Sequence, residues 1–179
     1  MKGNVLARLA LALFCLAAAA AHPLNRGAEG AAGKGEAGLL AVGDPAPDWK
    51  LSDPGGRAHT LSEYRGRVVV LDFWASWCVQ CAKIMPRLEK LQRKYGGQGL
   101  VVFGVNSWET GDPVAAMGKK GCTYTLLLKG EEAAESYGVK SLPVVYVVGA
   151  DGKVIYSHAG ADQKNLDELI EKHLGDRGR

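Results

Sequence analysis

The run Val68-Val69-Val70-Leu71-Asp72-Phe73-Trp74 constrains this chain more than any other segment, with six apolar residues around one acid and no turn signal. Such a β-branched and aromatic run has the pattern of a strand buried on both faces, as in the middle of an α/β sheet. The period then changes. Over 79–95, Ile84, Leu88 and Leu91 recur at helical spacing with charges between them, and Gly96-Gly97 stops the helix. Residues 100–105 read as a second buried strand, so strand, helix and strand form a right-handed parallel crossover. At the turn from strand to helix stand Trp77-Cys78-Val79-Gln80-Cys81.

The rest of the chain fits around that crossover. Asp112 caps and Pro113 opens a helix over 112–120. A short helix over 131–137 is closed by Gly138. Strands at 144–148 and 153–157 flank Gly149-Ala150-Asp151-Gly152, a strong hairpin signal, and 162–174 is the closing amphipathic helix. Cys122 precedes a further apolar strand and reads as a buried small hydrophobe. Residues 48–60, around Asp53-Pro54-Gly55-Gly56, predict a small extra hairpin in front. These elements add up to an α/β sandwich on a central mixed sheet, parallel at first and antiparallel at the end.

The N-terminus speaks to location. Lys2 and Arg8 precede an apolar run over 9–21 that ends in alanines, the pattern of a secretory signal peptide with cleavage before His22. Residues 5–21 are also near the minimum length for an uncleaved membrane anchor, so both readings of 1–21 stand. Phe14 is too large for the position before a lipoprotein cysteine at Cys15. In 25–38, glycine and alanine fill nine of fourteen positions, so 22–38 reads as a flexible linker. The folded domain is expected over 39–174, with 175–179 as a tail. A chain of 179 residues suits one such domain. The formal net charge of +3 includes Lys2 and Arg8. There is no basic stripe for nucleic acid and no glycine-rich phosphate loop.

Two residues between Cys78 and Cys81, wound into the first helical turn, bring their sulfurs within bonding reach. The first thiol then lies over unpaired backbone N–H groups and the positive end of the helix dipole, which stabilise a thiolate. Cys78 is therefore the expected nucleophile, exposed at the helix tip, and Cys81, one turn deeper, the residue that resolves a mixed disulfide. Zinc would need four ligands, and Cys122, His59, His158 and His173 show no partnering spacing. A structural disulfide closing so short a loop would constrain little of the unfolded chain.

Asp72-Phe73-Trp74-Ala75-Ser76-Trp77-Cys78-Val79-Gln80-Cys81 followed by Pro86 resembles the active-site segment of thioredoxins. The segments GDPAPDWKL, YGVKSLPVVYVV and GADGKVIYSHAG are similar to the exported TlpA/ResA-like branch of thiol–disulfide oxidoreductases, and the likeness runs over roughly 42–174. The resemblance implies a thioredoxin fold with an extra N-terminal hairpin, and no cofactor beyond a redox-active Cys78–Cys81 disulfide. It further implies a periplasmic or otherwise extracytoplasmic location, disulfide-containing exported proteins as partners, and a membrane electron donor. Contact with the membrane would come only through an N-terminal anchor.

The resemblance also implies roles residue by residue. Pro143 is the cis-proline that faces the cysteines and leaves the Leu142 backbone to pair with substrate. Asp72 is the buried acid beneath Cys81, its pKa raised by desolvation, that relays a proton. Trp74 and Trp77 flank and dry the site, and Pro86 kinks the helix. The chain departs from its ResA-like relatives at Ile84, where they carry glutamate, and at Gln80, where proline is common. Lys140-Ser141-Leu142-Pro143-Val144 also replaces the Gly-Val-x-Gly-x-Pro-Glu pattern of the haem-maturation reductases. The glutamate's duty then falls to Asp72. Two alternatives on the same fold are a disulfide oxidase or isomerase, and a copper-binding chaperone with His158 as distant ligand, although such chaperones space their cysteines by three. Ala75 stands where a peroxiredoxin needs threonine.

Overall fold

The computed structural model describes residues 38–175. The expected signal peptide or anchor over 1–21, the expected linker up to residue 37 and the expected tail from 176 lie outside those residues. Strands β1 (Lys50–Ser52) and β2 (Ala58–Thr60) form the front hairpin, antiparallel, with Leu51 opposite His59. A 3₁₀ turn over Leu61–Tyr64 leads into β3 (Val68–Trp74), and α1 (Cys81–Tyr95) follows it. Then come β4 (Leu100–Asn106), α2 (Pro113–Lys119), β5 (Thr125–Leu127), α3 (Glu131–Ser136), β6 (Val144–Val148), β7 (Val154–Ala159) and α4 (Leu166–Gly175).

The main sheet has the order β5-β4-β3-β6-β7. β4 runs parallel to both β3 and β5, whereas β6 is antiparallel to β3 and to β7. β3 is the central strand, and all seven of its residues are buried. Alternation divides them between two cores. Val68, Val70 and Trp74 face α1 and α4, packing with Ile84, Leu88, Leu166 and Ile170. Val69, Leu71 and Phe73 face α3 and the front hairpin, packing with Trp49, Leu61, Phe103, Tyr137 and Tyr146. Each such fully buried large side chain contributes roughly 1.5–3 kcal/mol, so this strand anchors both layers.

Most boundaries fall within two residues of the expected ones, and two of the differences have a local cause or bear on the cysteines. The last helix begins at Leu166 and not at 162, because Asn165 sits in the left-handed region at φ 56°, which an α-helix cannot contain. The active-site helix begins at Cys81, with Gln80 as its N-cap, although Cys78 O already accepts from Ala82 N at 3.2 Å. Asp112 caps α2 as expected, its Oδ1 accepting from Ala115 N. Gly138 closes α3 at φ 72°, and a Cβ there would strike Gly38 O at 2.4 Å, so only glycine fits.

Candidate active site

The sheet register assembles the site. Trp74 is opposite Asn106 on β4, so the residues after each strand, 75–78 and 107–111, lie side by side. Phe73 is opposite Val144 on antiparallel β6, so Leu142 and Pro143, just before β6, arrive at that same edge. Three loops meet at the C-terminal end of the parallel strands, where ligands collect in open α/β sheets.

Cys78 and Cys81 are joined by a disulfide with an S–S distance of 2.03 Å. Cys81 is completely buried, and Cys78, expected to be exposed at the helix tip, is buried as well, with 7% of its surface exposed, because in the disulfide its side chain turns in toward Cys81 and packs in the core cluster. The Cys81 backbone N–H donates to Cys78 Sγ at 3.1 Å, which stabilises charge on that sulfur once the bond is reduced. Exposed Val79 and half-exposed Trp77 stand beside Cys78. Ile84, which stands where the family resemblance implies glutamate, is buried in the core beneath. Pro86 lies within α1 and denies it one backbone donor.

A glutamate absent from the sequence reading holds this edge together. Glu109 accepts from Ser76 N (2.8 Å), Ser76 Oγ (2.6 Å) and Asn106 Nδ2 (2.6 Å), and from the N–H groups of Thr110 and Gly111. Burial alone would raise its pKa. The hydrogen bonds from Ser76, Asn106 and Gly111 outweigh it and hold the carboxyl at about 2. Trp77 Nε1 donates to the carbonyl of Trp108 at 2.8 Å, and Trp108, at φ 51°, donates its own N–H to Glu131. The loop after β4 thus fixes the residues immediately before Cys78. Trp49, by contrast, is a core residue edge-on to Phe103.

The Leu142–Pro143 peptide bond is cis and Pro143 is buried. Leu142 packs against the core cluster that contains Cys78 and Cys81. Pro143 O accepts from Gly160 N, whereas the Leu142 backbone makes no hydrogen bond within the described residues.

Asp72 is fully buried on the face of β3 that carries Trp74 and meets α1, and neither carboxyl oxygen has a hydrogen-bond partner within the described residues. Desolvation raises its pKa to about 8. Cys122 is half-buried and its thiol pKa is also raised, first of all by burial. His158 is opposite Val145, which is itself opposite Asp72, and therefore two strands away from the acid. Among the described residues no three His, Cys, Asp or Glu side chains gather as a metal site.

Comparison with known proteins bears on the same residues. A family model described as Redoxin matches residues 41–171. The thiol-disulfide oxidoreductase ResA of Geobacillus thermodenitrificans is 36% identical over 137 residues, covering 75% of this chain and 77% of that protein. The ResA of Bacillus anthracis is 30% identical, with 75% and 78% covered. The crystal structure of a candidate thiol:disulfide interchange protein DsbE from Chlorobium tepidum superposes with a TM-score of 0.70 at 35% identity, covering 76% of this chain and 99% of that one.

Proposed function

The chain belongs to the Redoxin family and is a thioredoxin-fold thiol–disulfide oxidoreductase, and from that footing we propose that it is an exported reductase of protein disulfides. The observation that carries the reading is the disulfide-bonded Cys78–Cys81 pair at the head of a 15-residue helix, with Cys78 the less buried of the two residues. In the reduced protein the Cys78 thiolate attacks a partner's disulfide, and one partner thiol leaves. Cys81 then attacks Cys78 Sγ and releases the second thiol. Asp72 takes the proton that Cys81 must lose, and the raised pKa of the buried carboxyl suits it to that exchange near neutral pH. The unpaired Leu142 backbone beside cis-Pro143 offers a strand-like grip on an extended partner segment, and Trp77 and Val79 supply apolar contact around Cys78.

Export rests on the basic start and apolar run of residues 2–21. Outside the cytosol a reductase must be recharged, so the electrons come from a membrane partner and no bound cofactor is needed. Reduction is favoured over oxidation because Val79 and Gln80 bring no positive charge to the Cys78 thiolate, which leaves only the helix terminus to stabilise it. The test is insulin reduction by the purified protein: activity should vanish in Cys78→Ser and persist in His158→Ala. In cells, Cys81→Ser should trap exported proteins as mixed disulfides. Activity that survives Cys78→Ser would overturn the assignment.

A further inference from the structure

β4 runs over Leu100–Asn106, but β5 pairs only with its Phe103, Gly104 and Val105, so the outer edge of residues 100–102 has no strand beside it. A cleft of about 360 Å³ opens at that bare edge, walled from both faces of the sheet. The front wall comes from the hairpin and the turn after it. His59 is buried, its Nδ1 2.7 Å from the Tyr64 hydroxyl and its Nε2 3.3 Å from Asp53 Oδ2. The His59 and Tyr64 rings both meet Phe103 edge-on, with centroids 5.7 and 5.0 Å away, which fixes this wall to β4. The back wall is the end of α1. There Gln92 Oε1 accepts from Val102 N at 2.8 Å, which settles the orientation of the amide. Its Nε2 fills the place that a Cβ on Gly96 would need, and it donates to nothing among the described residues.

The charges of the cleft have one sign. Arg57 and Arg67 line it, no carboxylate does, and neither guanidinium has an ion pair or a hydrogen bond among the described residues. The acids around it are engaged elsewhere. Asp53 accepts from Arg57 N and meets His59, Glu63 accepts from Thr60 N, and Glu89 is bound to Arg93 and Thr123. Burial raises the pKa of the Tyr64 hydroxyl, and both guanidiniums lie near enough to oppose that rise. Two unpaired guanidiniums beside one hydroxyl, with a free amide donor on the opposite wall, suit an anion. A carboxylate offers its oxygens in one plane to one fork, whereas a phosphate offers three and accepts from both walls. The volume lies at the small end of the roughly 300–1,000 Å³ of ligand cavities. It leaves room beside a phosphate for a small organic group.

We propose that this cleft binds a phosphate ester, its phosphate held by Arg57, Arg67 and the Gln92 amide and its organic part against the Tyr64 ring. Binding there is separate from disulfide exchange. The cleft lies at the start of β4, whose Leu100 is opposite Val68, whereas Cys78 follows the far end of β3. A soluble ester and a phospholipid headgroup present the same phosphate to these donors. A headgroup held in the cleft would leave the Cys78 edge, at the other end of the strands, turned away from the bilayer.

Calorimetry and thermal unfolding of the oxidised full chain test this, at constant ionic strength so that screening is the same for every ligand. Glycerol phosphate should bind saturably and raise the unfolding temperature, and succinate should bind about tenfold more weakly. Arg57→Gln and Arg67→Gln should each weaken glycerol phosphate about tenfold. Neither should change unfolding without ligand, because neither guanidinium has a partner among the described residues. Gln92→Glu keeps an acceptor for Val102 N but puts a carboxylate where the amide donor stood, so it should abolish binding. Insulin reduction should stay at the wild-type rate in all three variants. Phosphatidylglycerol vesicles that bind where glycerol phosphate does not, and that both Gln92→Glu and the double arginine variant release, would identify the ester as a headgroup. Vesicle binding that Gln92→Glu leaves intact is surface adsorption and would overturn the proposal. So would the absence of binding by either phosphate probe, succinate binding as tight as glycerol phosphate, or phosphate binding that survives loss of both arginines.

Discussion

Asp72→Asn should stabilise the oxidised protein, by an amount that depends on pH in a stated way. Burial lifts the carboxyl from 3.8 to about 8. An acid whose folded pKa is raised leaves stability intact below the unfolded pKa. Stability is then lost as pH climbs toward the folded value and is flat above it. At about 1.4 kcal/mol for each pKa unit, the penalty near pH 7 is about 4 kcal/mol relative to the acid limit. Asparagine escapes that penalty, but its amide is also buried beside Gly104 and Val145, and an unpaired amide costs roughly 1–3 kcal/mol. The net gain near neutral pH should be about 1–3 kcal/mol. Urea unfolding of the oxidised wild type and variant at about pH 5, 7 and 9 reads it directly. The gap between the two curves should widen from about pH 4 to about pH 8 and then stay constant. Parallel curves would mean that Asp72 meets water and that its burial has been misread.

Two further outcomes follow from the same geometry. Glu109→Gln should lower stability by about 2–3 kcal/mol, because a carboxylate that accepts from Ser76, Asn106, Thr110 and Gly111 loses its charge, and insulin reduction should fall as the turn before Cys78 loosens. The wild-type contribution of Glu109 is present above 4.5 and lost as pH falls toward about 2, so acid titration of the unfolding curve checks the sign. The Cys78–Cys81 potential, measured against glutathione, should lie nearer thioredoxin's roughly −270 mV than the roughly −120 mV of a strong periplasmic oxidant, and a value above about −160 mV would make the protein an oxidase or isomerase.

The parts of the fold that were legible are those whose cause is local. A seven-residue run with six apolar residues that switches to helical period reads as a buried strand feeding a helix, and it fixes where Cys78 and Cys81 stand. Asp112 before Pro113 states its cap in two residues. The start of α4 is not legible in the sequence because the amphipathic pattern extends through 162–165, while Asn165 takes a left-handed conformation that nothing in that pattern requires. The role of Glu109 is hidden from the sequence for a different reason. Its partners Ser76 and Asn106 are brought together by strand register, so its role exists only after the sheet forms. One signal was available, because a carboxylate three residues past the end of a parallel strand lies where such folds gather their functional groups.

The two charges at the site are handled in opposite ways, and the difference explains how one short segment can serve both structure and chemistry. Glu109 meets a ring of donors, stays ionised, and so becomes a fixed brace that does not change during turnover. Asp72 meets none among the described residues, sits near the pH at which it can hold or release a proton, and so is suited to the sulfur chemistry proposed for it. Supplying Asp72 with a donor would lower its pKa and stabilise the domain, but at the expense of that exchange. A buried, unsatisfied acid on the central strand is therefore a cost that the two cores on either side of β3 must carry, and the complete burial of Val70, Leu71 and Phe73 around it is what lets them do so.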